Sequence, residues 1–92
     1  MASFKVTVKQ AVAKDLRRIP KKEVARILKR IEALAVEPRP PGAEKLSGQE
    51  RYRLRQGVYR IIVYRIIYEI KDEELVVVVV KVGHRRDVYK SS

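Results

Sequence analysis

The second half of the sequence consists of segments that favour β-strands, and together they fit one small sheet. Arginine alternates with apolar residues at positions 51–55, an apolar segment follows, and a later segment contains five consecutive valines at positions 76–80. Because successive side chains of a strand point to opposite faces, Arg51, Arg53 and Arg55 are predicted to share one face. The valine run is apolar on both faces, which suits a central strand. Three adjacent guanidinium groups repel one another unless an anion lies over them, and a phosphodiester backbone is the obvious anion.

The first half of the sequence predicts one strand followed by two helices. Apolar and polar residues alternate over positions 4–9, as in a half-buried strand. Apolar residues at helical spacing then predict a short helix over about 10–19 and a longer one over 21–36. The segment 37–42 contains three prolines and a glycine, so it ends the second helix and forms a loop.

These elements predict a single α+β domain over residues 1–92, a length that suffices for one hydrophobic core. The predicted order is β-α-α-β-β-β, with turns at Gln56-Gly57 and at residues 71–74 joining the last three strands. Both helices come from the N-terminal half and pack on one face of a small, mainly antiparallel, twisted sheet. The arginine-bearing face is then the open one.

Composition limits the partners and the chemistry. The chain has 22 basic and 11 acidic residues, and its net charge of +11 indicates a polyanionic partner, with a merely solvated basic surface as the alternative. It has no cysteine and one histidine, so we predict no metal and no cofactor. The N-terminus is not signal-like and no apolar stretch reaches about 18 residues, so we expect no membrane association and a cytoplasmic location.

Several segments, taken in order, resemble one known family. They are Ala13-Lys14-Asp15-Leu16-Arg17-Arg18-Ile19-Pro20, Glu44-Lys45-Leu46-Ser47-Gly48, Tyr52-Arg53-Leu54-Arg55 and Val82-Gly83-His84-Arg85-Arg86-Asp87-Val88-Tyr89. Over nearly the whole chain this order resembles a toxin of the RelE/ParE superfamily of type II toxin–antitoxin systems. The arginines and the terminal tyrosine resemble the RelE-like mRNA interferases more than the gyrase-poisoning branch. The resemblance implies a RelE-like fold, a cognate antitoxin, and the ribosome with its mRNA as partners.

Cutting RNA without a metal requires alignment and deprotonation of the ribose 2′-OH, stabilisation of the phosphorane charge, and protonation of the 5′-oxygen. We predict that Arg53, Arg55 and either Arg60 or Arg65 supply the electrostatic stabilisation. His84 is the candidate general acid or base, because the ordinary pKa of histidine lies near neutrality. An alternative role for His84 is that of an exposed turn residue.

Other candidates rest on the resemblance or on charge alone. By resemblance, Arg85 matches an arginine near the leaving group, and Tyr89 matches a tyrosine near the nucleophile or a stacked base. Glu50 is a weaker candidate base. The predicted contacts to the RNA backbone are Arg51, Lys81 and Arg86.

A perfect five-residue direct repeat lies within the predicted core strand. Val58–Ile62 reads Val-Tyr-Arg-Ile-Ile, and Val63–Ile67 repeats it at once, whereas the family pattern has room for one copy. A single strand containing both copies would span about 40 Å, roughly twice the usual length. Because the repeat has an odd number of residues, Arg60 and Arg65 would face opposite sides of a continuous strand.

The two ends of this strand give different answers about which arginine belongs to the site. A two-residue turn at Gln56-Gly57 would pair Arg53 with Arg60, whereas counting back from the far end places Arg65 on the face that holds Glu69. We therefore expect a bulge or loop between the copies, or reabsorption of the extra residues into strand pairing. That pairing lies either within the chain or between two chains, as a strand-swapped or edge-paired homodimer.

Our hypothesis is that the duplication weakens activity by misplacing one arginine relative to Arg53 and Arg55. The alternative is a harmless bulge with one arginine still in place. Two other functions stay open: a gyrase-directed toxin of the same fold, and a non-catalytic basic module that binds RNA or protein.

Overall fold

The computed structural model describes residues 3–46, 50–58 and 62–84, and within these residues two helices pack against a five-stranded mixed sheet. This confirms the predicted α+β fold class. The addition to the predicted order is a two-residue strand ahead of the arginine-bearing one. The elements are β1 (Lys5–Val8), α1 (Gln10–Arg17), α2 (Lys21–Ala33), β2 (Glu44–Lys45), β3 (Arg51–Val58), β4 (Ile62–Lys71), a 3-10 turn (Asp72–Glu74) and β5 (Val76–His84).

The strand order in the sheet is β1-β5-β4-β3-β2. β1 runs parallel to β5, and the other neighbouring pairs are antiparallel. The valine-rich β5 therefore lies inside the sheet, as predicted. Val77 and Val79 are fully buried beneath the helices, and the other three valines of the run, Val76, Val78 and Val80, are half-buried.

The hydrophobic core lies between the sheet and the two helices. Alternate residues of β4 point into it, and Tyr68 and Ile66 are fully buried there. α2 contributes Ile27 and Ile31, as its apolar stripe predicted, whereas Leu28 is 39% exposed and lies outside the core. Leu54 of β3 is buried on the same side, so the arginine-bearing strand is anchored from beneath.

The predicted turn at Gln56-Gly57 is wrong. Both residues pair within the sheet, opposite Tyr64 and Val63, so β3 continues to Val58 and β4 begins at Ile62. Residues 59–61, which include Arg60, lie outside the described part of the chain. Of the first copy of the repeat, Val58 ends β3 and Ile62 begins β4, and the second copy lies within β4.

The predicted pairing of Arg53 with Arg60 is also wrong, because Arg53 lies opposite Ile67. The pairing between β3 and β4 is regular along the whole described hairpin. The irregularity lies instead between β4 and β5, where Ile67 pairs with Lys81 and Tyr68 with Val79. One extra residue, Val80, is thereby accommodated in β5. β3 and β4 pair without a bulge, so the alternation of side chains between the two faces of the sheet is kept along both strands.

A carboxylate on α1 completes the edge of β5 where β1 ends. β1 stops at Val8, opposite Val79, and β5 continues beyond it. There Asp15 Oδ2 accepts a hydrogen bond from the backbone N–H of Val82 at 3.3 Å, and Asp15 Oδ1 accepts one from Lys81 Nζ at 3.2 Å. The Asp15 carboxylate thus satisfies a backbone donor that has no strand partner on that side.

Replacing Asp15 with alanine is expected to lower the free energy of unfolding by about 1–3 kcal/mol, because a part-buried N–H loses its acceptor. Lys14→Ala, on the exposed side of the same helix, is the matched control and should have little effect. Urea unfolding followed by circular dichroism measures both. Equal stability of the two variants would contradict the role of Asp15.

The loop after α2 is hydrogen-bonded to β3, to β4 and to the 3-10 turn. Arg39 donates two hydrogen bonds to Asp72, at 2.8 and 3.0 Å, and a third to the Tyr52 hydroxyl at 3.0 Å. The Tyr68 hydroxyl donates to the backbone oxygen of Pro38 at 2.8 Å, and burial raises the pKa of Tyr68 to about 12. This confirms residues 37–42 as a loop, and it is held away from the arginine-bearing face.

Candidate active site on the open face of the sheet

Four arginines lie on the face of the sheet opposite the helices. Arg51, Arg53 and Arg55 alternate along β3, and Arg65 of β4 lies directly opposite Arg55. Paired residues of neighbouring antiparallel strands point to the same face, so the predicted shared face of the three β3 arginines is confirmed. We call the surface formed by Arg51, Arg53, Arg55 and Arg65 the arginine face.

The four arginines differ in their exposure. Arg55 is exposed, and the side chains of Arg51 and Arg53 are 42% and 17% exposed. Arg65 is only 5% exposed as a residue, and its strand neighbour on β5 is Gly83, which adds no side chain beside it. A buried cation is screened little by water, so the charge of Arg65 acts strongly on an anion that binds beside it.

Two carboxylates already lie on this face. Arg51 Nε donates to Glu69 Oε2 at 2.9 Å, and Arg53 Nη2 donates to Glu44 Oε2. Glu44 belongs to β2 and lies opposite Arg53 in the sheet. Part of the positive charge is therefore balanced by the protein itself, which the sequence interpretation did not include.

The electrostatics of Glu44 show that three arginines act on one point. The hydrogen bond from Arg53 and the charge of that guanidinium hold the pKa of Glu44 below its usual range. The charges of Arg55 and Arg65 lower the same pKa further. A negative group beside Arg53 thus lies near three cations from two strands, an arrangement that favours binding of a phosphate.

Sequence reasoning missed Glu44, because a two-residue strand has no measurable periodicity. The available signal was its place just before Lys45-Leu46-Ser47-Gly48, one hairpin turn ahead of Arg53. Glu50 is the predicted weaker candidate base. Its side chain is 88% exposed, and its Oε1 lies 3.8 Å from Lys45 Nζ.

Of the remaining predicted site residues, two lie within the described part of the chain, Lys81 and His84. Lys81 belongs to β5, but its ammonium is bonded to Asp15 on α1. The backbone of His84 ends β5 opposite Tyr64, one position beyond the pair formed by Arg65 and Gly83. Arg60, Arg85, Arg86 and Tyr89 lie outside the described residues.

The face offers positive charge from guanidinium groups. Within residues 3–46, 50–58 and 62–84 there is no cluster of three or more His, Cys, Asp or Glu side chains suited to a metal ion. In the same residues, no helix combines the length and apolar character needed to cross a bilayer. Preorganised guanidinium groups can stabilise the extra negative charge of a phosphorane and can hold neighbouring phosphates in register.

Solved structures with the same fold include RelE toxins, alone and in complexes with RelB. A RelBE2 toxin–antitoxin complex from Mycobacterium tuberculosis matches at 25% identity and a TM-score of 0.76, covering 91% of this chain and 100% of that one. An archaeal RelE–RelB complex from Pyrococcus horikoshii OT3 matches at 30% identity and a TM-score of 0.75, covering 89% and 94%. A mutant of the E. coli toxin RelE in the free state shares the fold at 23% identity and a TM-score of 0.76, covering 98% and 93%.

Sequence comparison gives the family directly. No curated protein sequence matches the chain. The family model for the ParE toxin of the type II toxin–antitoxin system parDE matches residues 6–89, which is nearly the whole chain. With the RelE-like fold, this match shows that the chain belongs to the ParE toxin family, within the RelE/ParE superfamily of type II toxin–antitoxin systems.

Proposed function

We propose that this toxin is a ribosome-dependent mRNA endonuclease that inhibits translation. The observation that carries the proposal is the placement of Arg53, Arg55 and Arg65 side by side on one face of two paired strands, around the carboxylate that Arg53 binds, with Arg65 buried. A scissile phosphate bound there would meet guanidinium groups that need no rearrangement as negative charge develops. The proposed substrate places the action of the toxin in the cytoplasm.

The proposed chemistry is metal-independent cleavage that uses the ribose 2′-OH, with the arginines stabilising the negative charge of the phosphorane. The ribose 2′-oxygen attacks the adjacent phosphorus, the 5′-oxygen leaves, and a 2′,3′-cyclic phosphate results. One group must take the proton of the 2′-OH and another must give a proton to the 5′-oxygen. The ordinary pKa of histidine lies near neutrality, so we propose that the imidazole of His84 makes one of these transfers. By resemblance, Arg85 and Tyr89 act at the leaving group and the nucleophile.

A cognate antitoxin completes the proposal. The RelE-like structures that match include complexes with RelB, and an equivalent partner is needed to restrain a basic nuclease. We propose that an acidic or amphipathic segment of this antitoxin lies across the arginine face. Neutralising the charges that bind phosphate would inhibit RNA binding directly.

Cleavage is tested in a purified translation system, where primer extension maps breaks in the message. We expect breaks in ribosome-bound mRNA when the toxin is added and none after preincubation with antitoxin. Arg26→Ala removes one positive charge from α2 and should cut the message like the wild-type chain. It is the control for loss of charge alone when an arginine of the arginine face is replaced. If ribosome-bound message stays intact at toxin concentrations that arrest growth, the nuclease proposal is wrong.

A gyrase-directed toxin is the second candidate, because the family model that matches is that of ParE. Such a toxin needs no RNA-cleaving groups. It would inhibit DNA supercoiling by purified gyrase and leave the message intact, so the two assays separate the functions. A non-catalytic binding module is the third reading, and it predicts no effect in either assay.

A further inference from the structure

One carboxylate lies against the arginines to which the proposed function assigns phosphate binding. Glu44 is held in β2 opposite Arg53, and its Oε2 accepts a hydrogen bond from Arg53 Nη2. The electrostatic effect of Arg55 and Arg65 reaches the same carboxylate. In the absence of RNA, Glu44 is therefore the counter-ion of the cations to which the proposed function assigns phosphate binding.

A phosphate and this carboxylate cannot both lie against Arg53. The Arg53 side chain is 17% exposed, so it has little surface left for a second anion, and two adjacent negative charges repel each other. The Glu44 side chain is 55% exposed and can turn into solvent while its backbone stays in β2. Displacement of the carboxylate is thus sterically open, but each bound phosphate must compete with it.

We propose that Glu44 is the resident anion of the arginine face and that an RNA phosphate binds Arg53 only by displacing it. The inference rests on the proposed function, since it assumes that RNA binds this face. It makes Glu44 a determinant of specificity. An isolated phosphate gains too little to replace the carboxylate, whereas a nucleic-acid strand that also contacts Arg55 and Arg65 gains enough.

The test is the affinity of the whole chain for a fluorescent single-stranded RNA with methylated 2′-hydroxyls, which cannot be cut, over a series of KCl concentrations. Glu44→Gln keeps an acceptor for Arg53 but removes the charge. We expect it to tighten binding about two- to fivefold, the value of a partly exposed ion pair. The slope of log affinity against log salt should steepen by up to about 0.7, because the displaced carboxylate of the wild type takes up a cation from solution and glutamine does not.

Two further variants make the result specific. Glu73→Gln removes the same charge from the 3-10 turn between β4 and β5 and should leave affinity and slope close to wild type. Glu44→Asp keeps the charge and should retain the wild-type slope. If Glu44→Gln binds no more tightly than Glu73→Gln, the displacement proposal is overturned.

Failure of the proposed function would look different. Arg65→Ala is measured in the same assay, and its binding should be weaker than wild type if RNA lies on the arginine face. If Arg65→Ala binds RNA as tightly as the wild type, RNA does not bind the arginine face, and this holds for any result with Glu44→Gln. Weaker binding of Arg65→Ala with no gain for Glu44→Gln would reject only the role of Glu44. Urea unfolding confirms that each variant is folded at the assay temperature.

Discussion

Replacing Arg65 with alanine is expected to slow cleavage of ribosome-bound mRNA by about 100- to 1,000-fold, the usual loss when one preorganised donor is removed from a charged transition state. The same replacement at Arg60 is expected to have a minor effect. Arg65 is buried and lies directly opposite Arg55, so its charge is screened little by water and lies beside the other arginines of the face. The described pairing of β3 and β4 is complete without Arg60.

The repeat supplies its own matched control. Arg60 and Arg65 lie in identical pentapeptides, so differences in their effects arise from their positions in the hairpin and not from neighbouring residues. Cleavage rates are measured by primer extension at saturating toxin. Arg65→Lys is a third variant: it keeps the charge but loses the planar fork, and an intermediate rate is expected.

Because Arg65 is buried, its removal also perturbs the sheet. Urea unfolding of each variant, and the ability to capture antitoxin, separate loss of catalysis from loss of the fold. If Arg60→Ala is the variant that loses activity while Arg65→Ala cuts normally, then the first copy of the repeat holds the site. The register of β4 would then have no functional meaning.

The arginine face could be predicted because its basis is local. Alternation over 51–55 fixes which side chains share a face, whatever the strand pairs with. The apolar run in β5 and the stripe on α2 are equally local, and both lie where the sequence placed them. Each of these features depends only on residues that are close by in the sequence.

The register of the hairpin could not be predicted, because two identical pentapeptides give the local sequence no basis for choosing between them. The choice depends on distant contacts: Tyr64 enters the core beneath the helices, and Arg65 lies beside Gly83 of β5. The hydrogen bond at the edge of β5 is nonlocal as well, since Val82 N–H donates to Asp15, which lies 67 positions earlier in the sequence. Such contacts exist only once the sheet has formed.

The site was incomplete in the sequence interpretation for the same reason. The sequence predicted the arginines and placed Glu69 on the face of Arg65, but it gave neither Glu44 nor the pairing of Glu69 with Arg51, since both depend on strand pairing. An alternating charge pattern reports which face a side chain occupies. It does not report which opposite charge lies across the strand, and that partner decides how much of the positive charge is available to RNA.

Removing one copy of the repeat tests what the duplication does, and deletion of residues 58–62 gives the same protein as deletion of 63–67. The shortened hairpin can keep the arginines on one face only if β3 and β4 shift by an even number of residues, since an odd shift turns every side chain over. A two-residue turn at Gln56-Gly57 then places Arg53 opposite the one remaining arginine. We expect cleavage within about tenfold of the full-length rate, a change of roughly 1.4 kcal/mol in the barrier.

The larger effect is expected from a second change in the shortened chain. Its single Tyr-Arg-Ile-Ile segment leaves no second arginine, so alanine at that position should reduce cleavage by about 100- to 1,000-fold. A large gain in rate on deletion alone would instead support the hypothesis that the repeat misplaces an arginine and impairs the toxin. A folded but inactive deletion chain would show that Arg65 must lie opposite Arg55, a pairing that the two-residue turn cannot reproduce, and the repeat would then be required for the site.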